Sequence, residues 1–294
     1  VLAGLDGLSL STGTDGLRLL DRPELVDAYA MTALDINRLA DVVLAFRQRP
    51  ADVGILWSGA SRILDEGDPY LGSALAAYEG CSFSGFGARF ITETQCTYEA
   101  LKSLRILVIP EALAVPNETF EAVAKYVEEG GVIIRSGNPF PYTARGASRQ
   151  DLLPFTKRTV LVQGDPSPSK YTHAMDAAIS MSPGAGVPRL VNQYGYPLEG
   201  VKSYFVEKEG TAYLFAVNLR PKPVQCRLYG GPAKGHDLIA GRELHFPSEL
   251  APREPVLMRF DTPPPVTSAQ SDTASTVADA IPSAEVRPVP AKTK

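Results

Sequence analysis

Apolar and polar positions follow one repeated order between residues 51 and 137, in which short apolar runs alternate with segments of helical periodicity. The clearest unit begins with the apolar run Arg105–Pro110 and continues after Asn117 with apolar residues on one helical face. Gly130–Gly131 ends that predicted helix, and Val132–Ile134 begins the next strand. Because uninterrupted apolar strands need cover on both faces, this pattern predicts an α/β fold with a parallel sheet between layers of helices.

The other elements of this region are predicted from the same two patterns. They are strands at Val53–Trp57 and Ala88–Glu93, a helix at Pro69–Tyr78 closed by Gly80, a helical turn at Tyr98–Lys102 and a helix at Thr172–Met181. From Asn138 to about Lys170 the chain is rich in Pro, Gly and Ser, with one predicted strand at Val160–Val162. A long excursion of this kind is typical of a functional or mobile loop.

The first 50 residues predict one short strand and one long helix. Gly7–Leu10 is the strand, and Pro23 suits the first turn of a helix that runs to about Gln48. Residues of one seam recur along that helix in steps of four and three: Leu25, Tyr29, Thr32, Ile36, Leu39, Val43 and Phe46. The seam is compatible with a coiled coil, but its length of about three heptads favours a helix packed on a sheet or barrel.

Beyond Val187 the hydrophobic period changes to two. Glu209–Gly210 is a hairpin turn signal between two such segments, and several further short strands follow at close spacing. The predicted strands are Val201–Val206, Thr211–Leu219, Val224–Tyr229, His236–Ile239, Glu243–Phe246 and Val256–Phe260. This pattern predicts a small antiparallel β-sandwich.

The changes of pattern divide the chain into four parts. Residues 1–50 carry the short strand and long helix, residues 51–187 the α/β domain, and residues 188–262 the antiparallel sandwich. Residues 263–294 contain no aromatic residue and are rich in Pro, Ser, Thr and Ala, which predicts a disordered tail.

Composition excludes several classes of protein. The 294 residues carry a net charge of −4 without a basic patch, which argues against nucleic acid as a partner. No apolar run approaches the roughly 20 residues of a membrane span. The three cysteines and three histidines are scattered, so no metal site is predicted. No phosphate-binding glycine loop follows a strand, so no cofactor is predicted.

The beginning of the chain is unusual. Val1–Gly4 lacks an initiator Met and the basic-then-apolar order of a signal peptide. We interpret it as the cut edge of a longer protein, and the compartment stays open.

Four residues are candidates for binding a substrate. Glu93 and Glu111 fall at the carboxyl ends of predicted parallel strands, the edge at which open α/β sheets bind ligands. If adjacent, the two acids would suit a metal or sugar hydroxyls; the alternative is that they cap helices or pair with arginines. Asp15 lies in a polar turn after the first strand, and Trp57 ends the strand Val53–Trp57, where it stacks on a sugar ring or packs in the core.

Cys81 is a candidate nucleophile of another kind, because it lies between glycines as in a nucleophile elbow. The order of elements is reversed, however, since a helix precedes Cys81 and a strand follows it. No His-x-Glu pair follows to supply a base. A buried structural cysteine is therefore the simpler interpretation, and an amidotransferase-like enzyme using Cys81 is kept as an alternative.

Several segments together resemble the middle and C-terminal domains of glycoside hydrolase family 42 β-galactosidases. They are Ala51–Ser58, Phe90–Glu93, Leu107–Ala112, Tyr126–Ile133, Leu214–Leu219, Asp237–Gly241 and Leu250–Pro252. The resemblance implies a flavodoxin-like domain, similar to class I glutamine amidotransferases without their catalytic machinery, followed by a small β domain. Residues 5–48 resemble the end of the family's TIM barrel, which implies an exposed apolar stripe unless a partner covers it.

The resemblance also implies a function. The family's catalytic glutamates end the fourth and seventh barrel strands, and no residue of this chain matches either one. The implied role is the accessory and oligomerisation region of a β-galactosidase-like hydrolase, forming a homo-oligomer with three copies as in the family, with a β-galactoside or related saccharide as ligand. The alternative outside enzymology is a non-enzymatic carbohydrate-binding or scaffold protein.

Overall fold

The computed structural model describes residues 22–65, 69–151, 153, 157–182 and 187–261. Within them the helices are α1 (Pro23–Arg38), α2 (Ala40–Gln48), α3 (Gly59–Leu64), α4 (Pro69–Ser82), α5 (Tyr98–Leu101), α6 (Asn117–Glu128) and α7 (Pro168–Met181). The strands of the first half are β1 (Val53–Trp57), β2 (Ala88–Thr92), β3 (Ile106–Ile109), β4 (Ala114–Val115), β5 (Val132–Ser136), β6 (Tyr142–Thr143) and β7 (Thr159–Val162). Those of the second half are β8 (Arg189–Val191), β9 (Val201–Lys208), β10 (Thr211–Asn218), β11 (Val224–Tyr229), β12 (Lys234–Asp237), β13 (Arg242–His245), β14 (Ser248–Leu250) and β15 (Pro255–Phe260).

A five-stranded parallel sheet organises the first half, in the order β2-β1-β3-β5-β7. Successive residues of β3 point to opposite faces, so that Leu107 and Ile109 join one core and Ile106 and Val108 join the other. Residues of α6 complete the first core, and residues of α7 complete the second. The predicted α/β architecture, with helices covering a parallel sheet, is confirmed.

Antiparallel sheets form the second half, as the period of two predicts. One has five strands in the order β13-β12-β15-β10-β9, and the other has three in the order β14-β11-β8. Both sheets contribute to one core, in which Leu214 and Val256 from the larger sheet meet Cys226 from the smaller. The turn between β9 and β10 has positive φ at Glu209 (51°) and Gly210 (75°), as a tight two-residue hairpin requires.

The long helix predicted over Pro23–Gln48 is two helices. Leu39 leaves helical geometry at φ −106° and ψ 19°, and α2 begins at the next residue. Val43 and Phe46 of α2 are buried, and Phe46 packs with residues of β9, β10 and β15, so this half confirms the predicted packing of the helix on a sheet. The first half, α1, buries no residue. The interruption at Leu39 separates the part of the helix that packs on the antiparallel sheet from the part that buries no residue.

Gly80 does not close a helix, contrary to the sequence-based prediction. The helix α4 continues through Gly80 and ends at Ser82. A Cβ atom at Gly80 would lie 2.3 Å from the carbonyl oxygen of Pro168 and 2.7 Å from Cβ of Tyr171. This glycine is therefore required for the close contact between α4 and α7 rather than for a turn.

Other boundaries also differ from the prediction. The helix α7 begins at Pro168, because the Ser167 side chain accepts a hydrogen bond from the Lys170 N–H and caps it. Part of the long excursion is ordered as β6, which pairs with β4.

The predicted strand Gly7–Leu10 and the predicted tail lie outside the described residues. Among the described helices, none has the length and apolar character to cross a membrane.

Candidate functional site

The carboxyl edge of the parallel sheet carries three of the four predicted site residues. Trp57 ends β1, Glu93 follows β2, and Glu111 lies two residues beyond β3. In the sheet order, β1 lies between β2 and β3, so the strands leading to the two acids are about 10 Å apart. The fourth residue, Asp15, lies outside the described residues.

Glu93 is held at the beginning of α3. Its Oε1 atom accepts a hydrogen bond from the Ser58 hydroxyl (2.7 Å) and is 3.3 Å from the Ala60 backbone N–H. A carboxylate there compensates unpaired N–H groups and the positive end of the helix dipole. The contacts correspond to the capping role that the sequence left as the alternative to substrate binding.

A buried set of hydrogen bonds lies directly beneath Glu93. Ser58 caps α3 by accepting from the Ser61 N–H, and the Ser61 hydroxyl donates to the Ala114 carbonyl at 2.8 Å. The Tyr70 hydroxyl accepts from the Ser58 N–H (2.6 Å) and donates to the Leu56 carbonyl (2.9 Å). Burial, the largest cause, raises the pKa of Tyr70 to about 12, so the phenol stays protonated and can donate.

Glu111 has an unusual backbone conformation, with φ at +41°. This is the left-handed region that non-glycine residues rarely adopt. Its N–H donates to the Ser136 hydroxyl at 3.0 Å, which fixes the turn after β3. Partial burial, followed by the charges of Asp65 and Asp165, raises the pKa of the Glu111 carboxyl.

Three buried hydroxyl groups support this turn. Ser73, Ser136 and Tyr171 are each less than 3% exposed. Their oxygen atoms are 2.9 to 3.2 Å apart and form a closed triangle of hydrogen bonds. Because each hydroxyl already has partners, the cluster joins α4, β5 and α7 rather than presenting a free nucleophile.

Trp57 packs among other side chains. Its ring lies 5.2 Å from the Phe90 ring in an edge-to-face arrangement and 6.3 Å from the Tyr70 ring. The Arg62 guanidinium lies 5.3 Å from the Trp57 ring centroid. An incoming sugar ring would have to compete with these neighbours for the indole.

Cys81 is buried in the last turn of α4 and has no exposed surface. Burial raises the pKa of its thiol, which disfavours the thiolate that a nucleophile requires. This placement argues against the amidotransferase-like alternative. The other two cysteines, Cys96 and Cys226, are buried as well.

Sequence reasoning missed the partners of the two glutamates. Ser58 and Ser61 have the spacing of a helix cap and its third residue, which is a detectable local signal. The other partners are Tyr70, Ser136 and Tyr171, which come from separate elements. No pattern along the chain predicts that they lie close together. In the part of the chain that the structure describes, no group of three or more His, Cys, Asp or Glu residues is arranged to hold a metal.

Comparisons with solved structures identify the architecture. The structure is similar to a family GH42 exo-carrageenase from Bacteroides ovatus, with a TM-score of 0.63 and 19% identity, over 83% of this chain and 34% of that one. A β-galactosidase from Bacillus circulans sp. alkalophilus gives a TM-score of 0.55 and 13% identity, over 80% of this chain and 45% of that one. A β-galactosidase from the psychrophilic Marinomonas ef1 gives a TM-score of 0.54 and 11% identity, over 80% of this chain and 42% of that one.

These likenesses are structural and partial. No protein-family model matches the sequence, and a search of curated proteins finds no match. The chain spans less than half the length of the three similar proteins. At these identities the comparison shows the fold, and the chain has a fold like that found in part of glycoside hydrolase family 42 enzymes.

Proposed function

We propose that this chain is the accessory and oligomerisation region of a β-galactosidase-like glycoside hydrolase acting in carbohydrate metabolism. The observation that carries the proposal is the extent of the structural match. About four fifths of this chain corresponds to less than half of two β-galactosidases. The proposal includes a flavodoxin-like arrangement for the α/β domain. When only the five strands of the parallel sheet are counted along the chain, the order β2-β1-β3-β5-β7 becomes 2-1-3-4-5, which is the flavodoxin-like order.

The strand-end carboxylates support a non-catalytic role for this chain. A retaining glycosidase holds two carboxyl groups about 5–5.5 Å apart across the scissile bond. Glu93 is hydrogen-bonded at the beginning of α3, while the carboxylates that raise the pKa of Glu111 belong to Asp65 and Asp165. Glu93 and Glu111 also follow strands that are separated by β1, so the fold does not hold them as a closely spaced pair.

The experiment is an assay of the purified chain with a chromogenic β-galactoside. We expect no turnover above the uncatalysed rate. Turnover that Glu93→Gln or Glu111→Gln abolishes would contradict the proposal, because it would assign the proton-transfer roles to this chain. Circular dichroism of both variants separates loss of activity from loss of fold.

One observation favours the second candidate function, a carbohydrate-binding protein without enzymatic activity. Tyr194, Tyr196 and Tyr229 are 75%, 57% and 61% exposed. Arg227 donates to the carbonyl of Gln193 and so joins the outer face of β11 to the turn that carries Tyr194 and Tyr196. Exposed aromatic rings offer faces on which sugars stack.

Calorimetry with galactose and a galactan separates the two candidates. Binding that Tyr229→Ala weakens and Tyr142→Ala leaves unchanged favours the carbohydrate-binding protein. Tyr142 is a suitable control because it is 40% exposed on β6, in the other half of the chain. Absence of binding to both sugars leaves the accessory role as the better account.

A further inference from the structure

A cavity lies away from the carboxyl edge of the parallel sheet. It has a volume of about 390 Å³ and is bounded by the end of α2, the beginning of β2 and the strand β9. The side chains that shape it are Arg47, Arg49, Arg89, Tyr78 and Tyr204. The cavity therefore lies where the α/β half and the antiparallel half meet, at the amino end of the parallel strands.

The charge of this cavity is opposite in sign to that of the whole chain. Three arginines line it and no acidic residue does, whereas the chain has a net charge of −4. Lys202 adds a further positive charge, with its Nζ atom 5.5 Å from the centroid of the Tyr78 ring. A cleft lined by one sign of charge concentrates ligands of the opposite sign.

Asp52, the acid beside Arg49, is already shared by two arginines. Asp52 accepts from Arg49 Nη2 at 2.6 Å, and its other oxygen lies 3.3 Å from Arg105 Nε. The second terminal nitrogen of Arg49, Nη1, is buried and has no hydrogen-bond partner. A buried donor without an acceptor is costly, so the Arg49 guanidinium keeps hydrogen-bonding capacity that Asp52 does not use.

Arg89 is the available side chain at the opening. Its side chain is exposed and makes no hydrogen bond or ion pair with any residue in the described ranges. The walls beside it are fixed by ring contacts, since Tyr78 stacks on Phe90 at 5.3 Å and Tyr204 stacks on Phe215 at 6.3 Å. Fixed aromatic walls lower the entropy cost of ordering a ligand.

We propose that this cavity binds the oxyanion group of a small anionic ligand, through the guanidinium groups of Arg49 and Arg89. The volume lies in the range of small-molecule pockets. Guanidinium groups match the geometry of carboxylate, sulfate and phosphate oxygens, which are the three forms this oxyanion takes. The inference goes beyond the proposed accessory role. It depends on none of the residues at the carboxyl ends of the parallel strands.

The test is isothermal titration calorimetry of the full chain at low ionic strength. The charged probes are inorganic sulfate, inorganic phosphate and galacturonate, and galactose is the neutral control. We expect at least one charged probe to bind with a dissociation constant below about 10 mM, and galactose to bind more weakly than galacturonate. The probe that binds most tightly identifies the form of the oxyanion.

Two variants make the test specific. Arg89→Gln is expected to weaken binding about tenfold, the loss of one charge-assisted contact. Arg145→Gln is the matched control, because Arg145 is also exposed and does not line the cavity. Because the Arg89 side chain has no partner among the described residues, its variant is expected to keep the unfolding temperature of the parent.

Three results would overturn the inference. One is the absence of binding for every charged probe up to about 10 mM. Another is equal affinity for galactose and galacturonate without binding of the inorganic ions, which would show recognition of the sugar rather than the oxyanion. The third is equal binding by the Arg89→Gln and Arg145→Gln variants.

Discussion

At the scale of single residues, Gly80 shows how one missing side chain sets the distance between two helices. We expect Gly80→Ala to lower the free energy of unfolding by about 1–3 kcal/mol, because the added Cβ has no room beside α7 and overpacking forces the helices apart. Its nearest neighbours would be the Pro168 carbonyl oxygen at 2.3 Å and Tyr171 Cβ at 2.7 Å. Urea denaturation measures the change.

Gly72 is a matched control in the same helix. A Cβ atom there would meet nothing within 4 Å. We expect Gly72→Ala to raise the free energy of unfolding by roughly 0.5–1 kcal/mol, through helix propensity alone. Equal effects of the two substitutions would show that the contact between α4 and α7 does not require a glycine.

Glu111 is predicted to make stability depend on pH. Its pKa is raised from 4.5 by partial burial and by Asp65 and Asp165, so the charged form is less favourable in the folded state than in the unfolded state. The free energy of unfolding therefore falls as the pH rises from the unfolded pKa through the higher folded pKa. We expect Glu111→Gln to raise the melting temperature at about pH 7 and to have little effect at about pH 3, where both states are protonated.

The control for that experiment is Glu121→Gln. Glu121 lies on the exposed side of α6. We expect the melting temperature of its variant to differ from that of the parent protein by a similar amount at the two pH values. Scanning calorimetry across the pH series tests both variants, and a Glu111→Gln profile parallel to that of the parent protein would contradict the argument.

Individual site residues could be placed from the sequence only as far as the end of a strand. Glu93, Glu111 and Trp57 do lie at or just beyond strand ends. Their partners could not be named, because the Ser58 hydroxyl lies just after β1 and the Ser136 hydroxyl lies at the end of β5. Whether a strand-end acid caps a helix or stands free depends on side chains brought together by folding.

At the scale of elements, α2 illustrates how a helix and a distant sheet stabilise one another. Phe46 is 6% exposed, and its ring lies 6.5 Å from that of Phe215 in an edge-to-face arrangement. We expect Phe46→Ala to lower the free energy of unfolding by about 3 kcal/mol, from lost burial and the cavity left behind. Chemical denaturation followed by far-ultraviolet circular dichroism gives this value.

Leu44 provides the comparison on the same helix. It is 44% exposed. We expect Leu44→Ala to change the free energy of unfolding by about 1 kcal/mol or less. If Phe46→Ala were equally mild, the packing of α2 on the antiparallel sheet would not contribute to stability in solution.

Elements with several residues of clear periodicity were the predictable ones. The strands of the parallel sheet, α6 and the β9–β10 hairpin are examples. The elements missed are short: β4 and β6 have two residues each, β8 and β14 have three each, and α3 has six. Segments of that length carry too little periodicity to be distinguished from turns, and tertiary contacts hold them in place.

At the scale of the whole molecule, the exposed apolar residues of α1 predict self-association. Four large apolar residues of α1 are exposed by 44% to 62%: Leu25, Tyr29, Met31 and Leu34. Several exposed large apolar residues on one helix are typical of an interaction surface. We expect light scattering to give a mass above that of one 31.5 kDa chain, and three chains is the number that the resemblance to family 42 implies. A mass of one chain at every accessible concentration would contradict the proposed oligomerisation role.

The sequence by itself determined which face of most periodic elements is apolar, because hydrophobic periodicity is a local property of the chain. It therefore predicted the parallel sheet with its helices and the antiparallel strands that follow. The tertiary structure decided the order of the strands, which places β1 between the strands that lead to Glu93 and Glu111. It also brought Arg49 and Arg89 to one cavity. The physical reason is that hydrophobic periodicity depends only on neighbouring residues of the chain. The contacts of a residue, by contrast, are made with segments that only folding brings together.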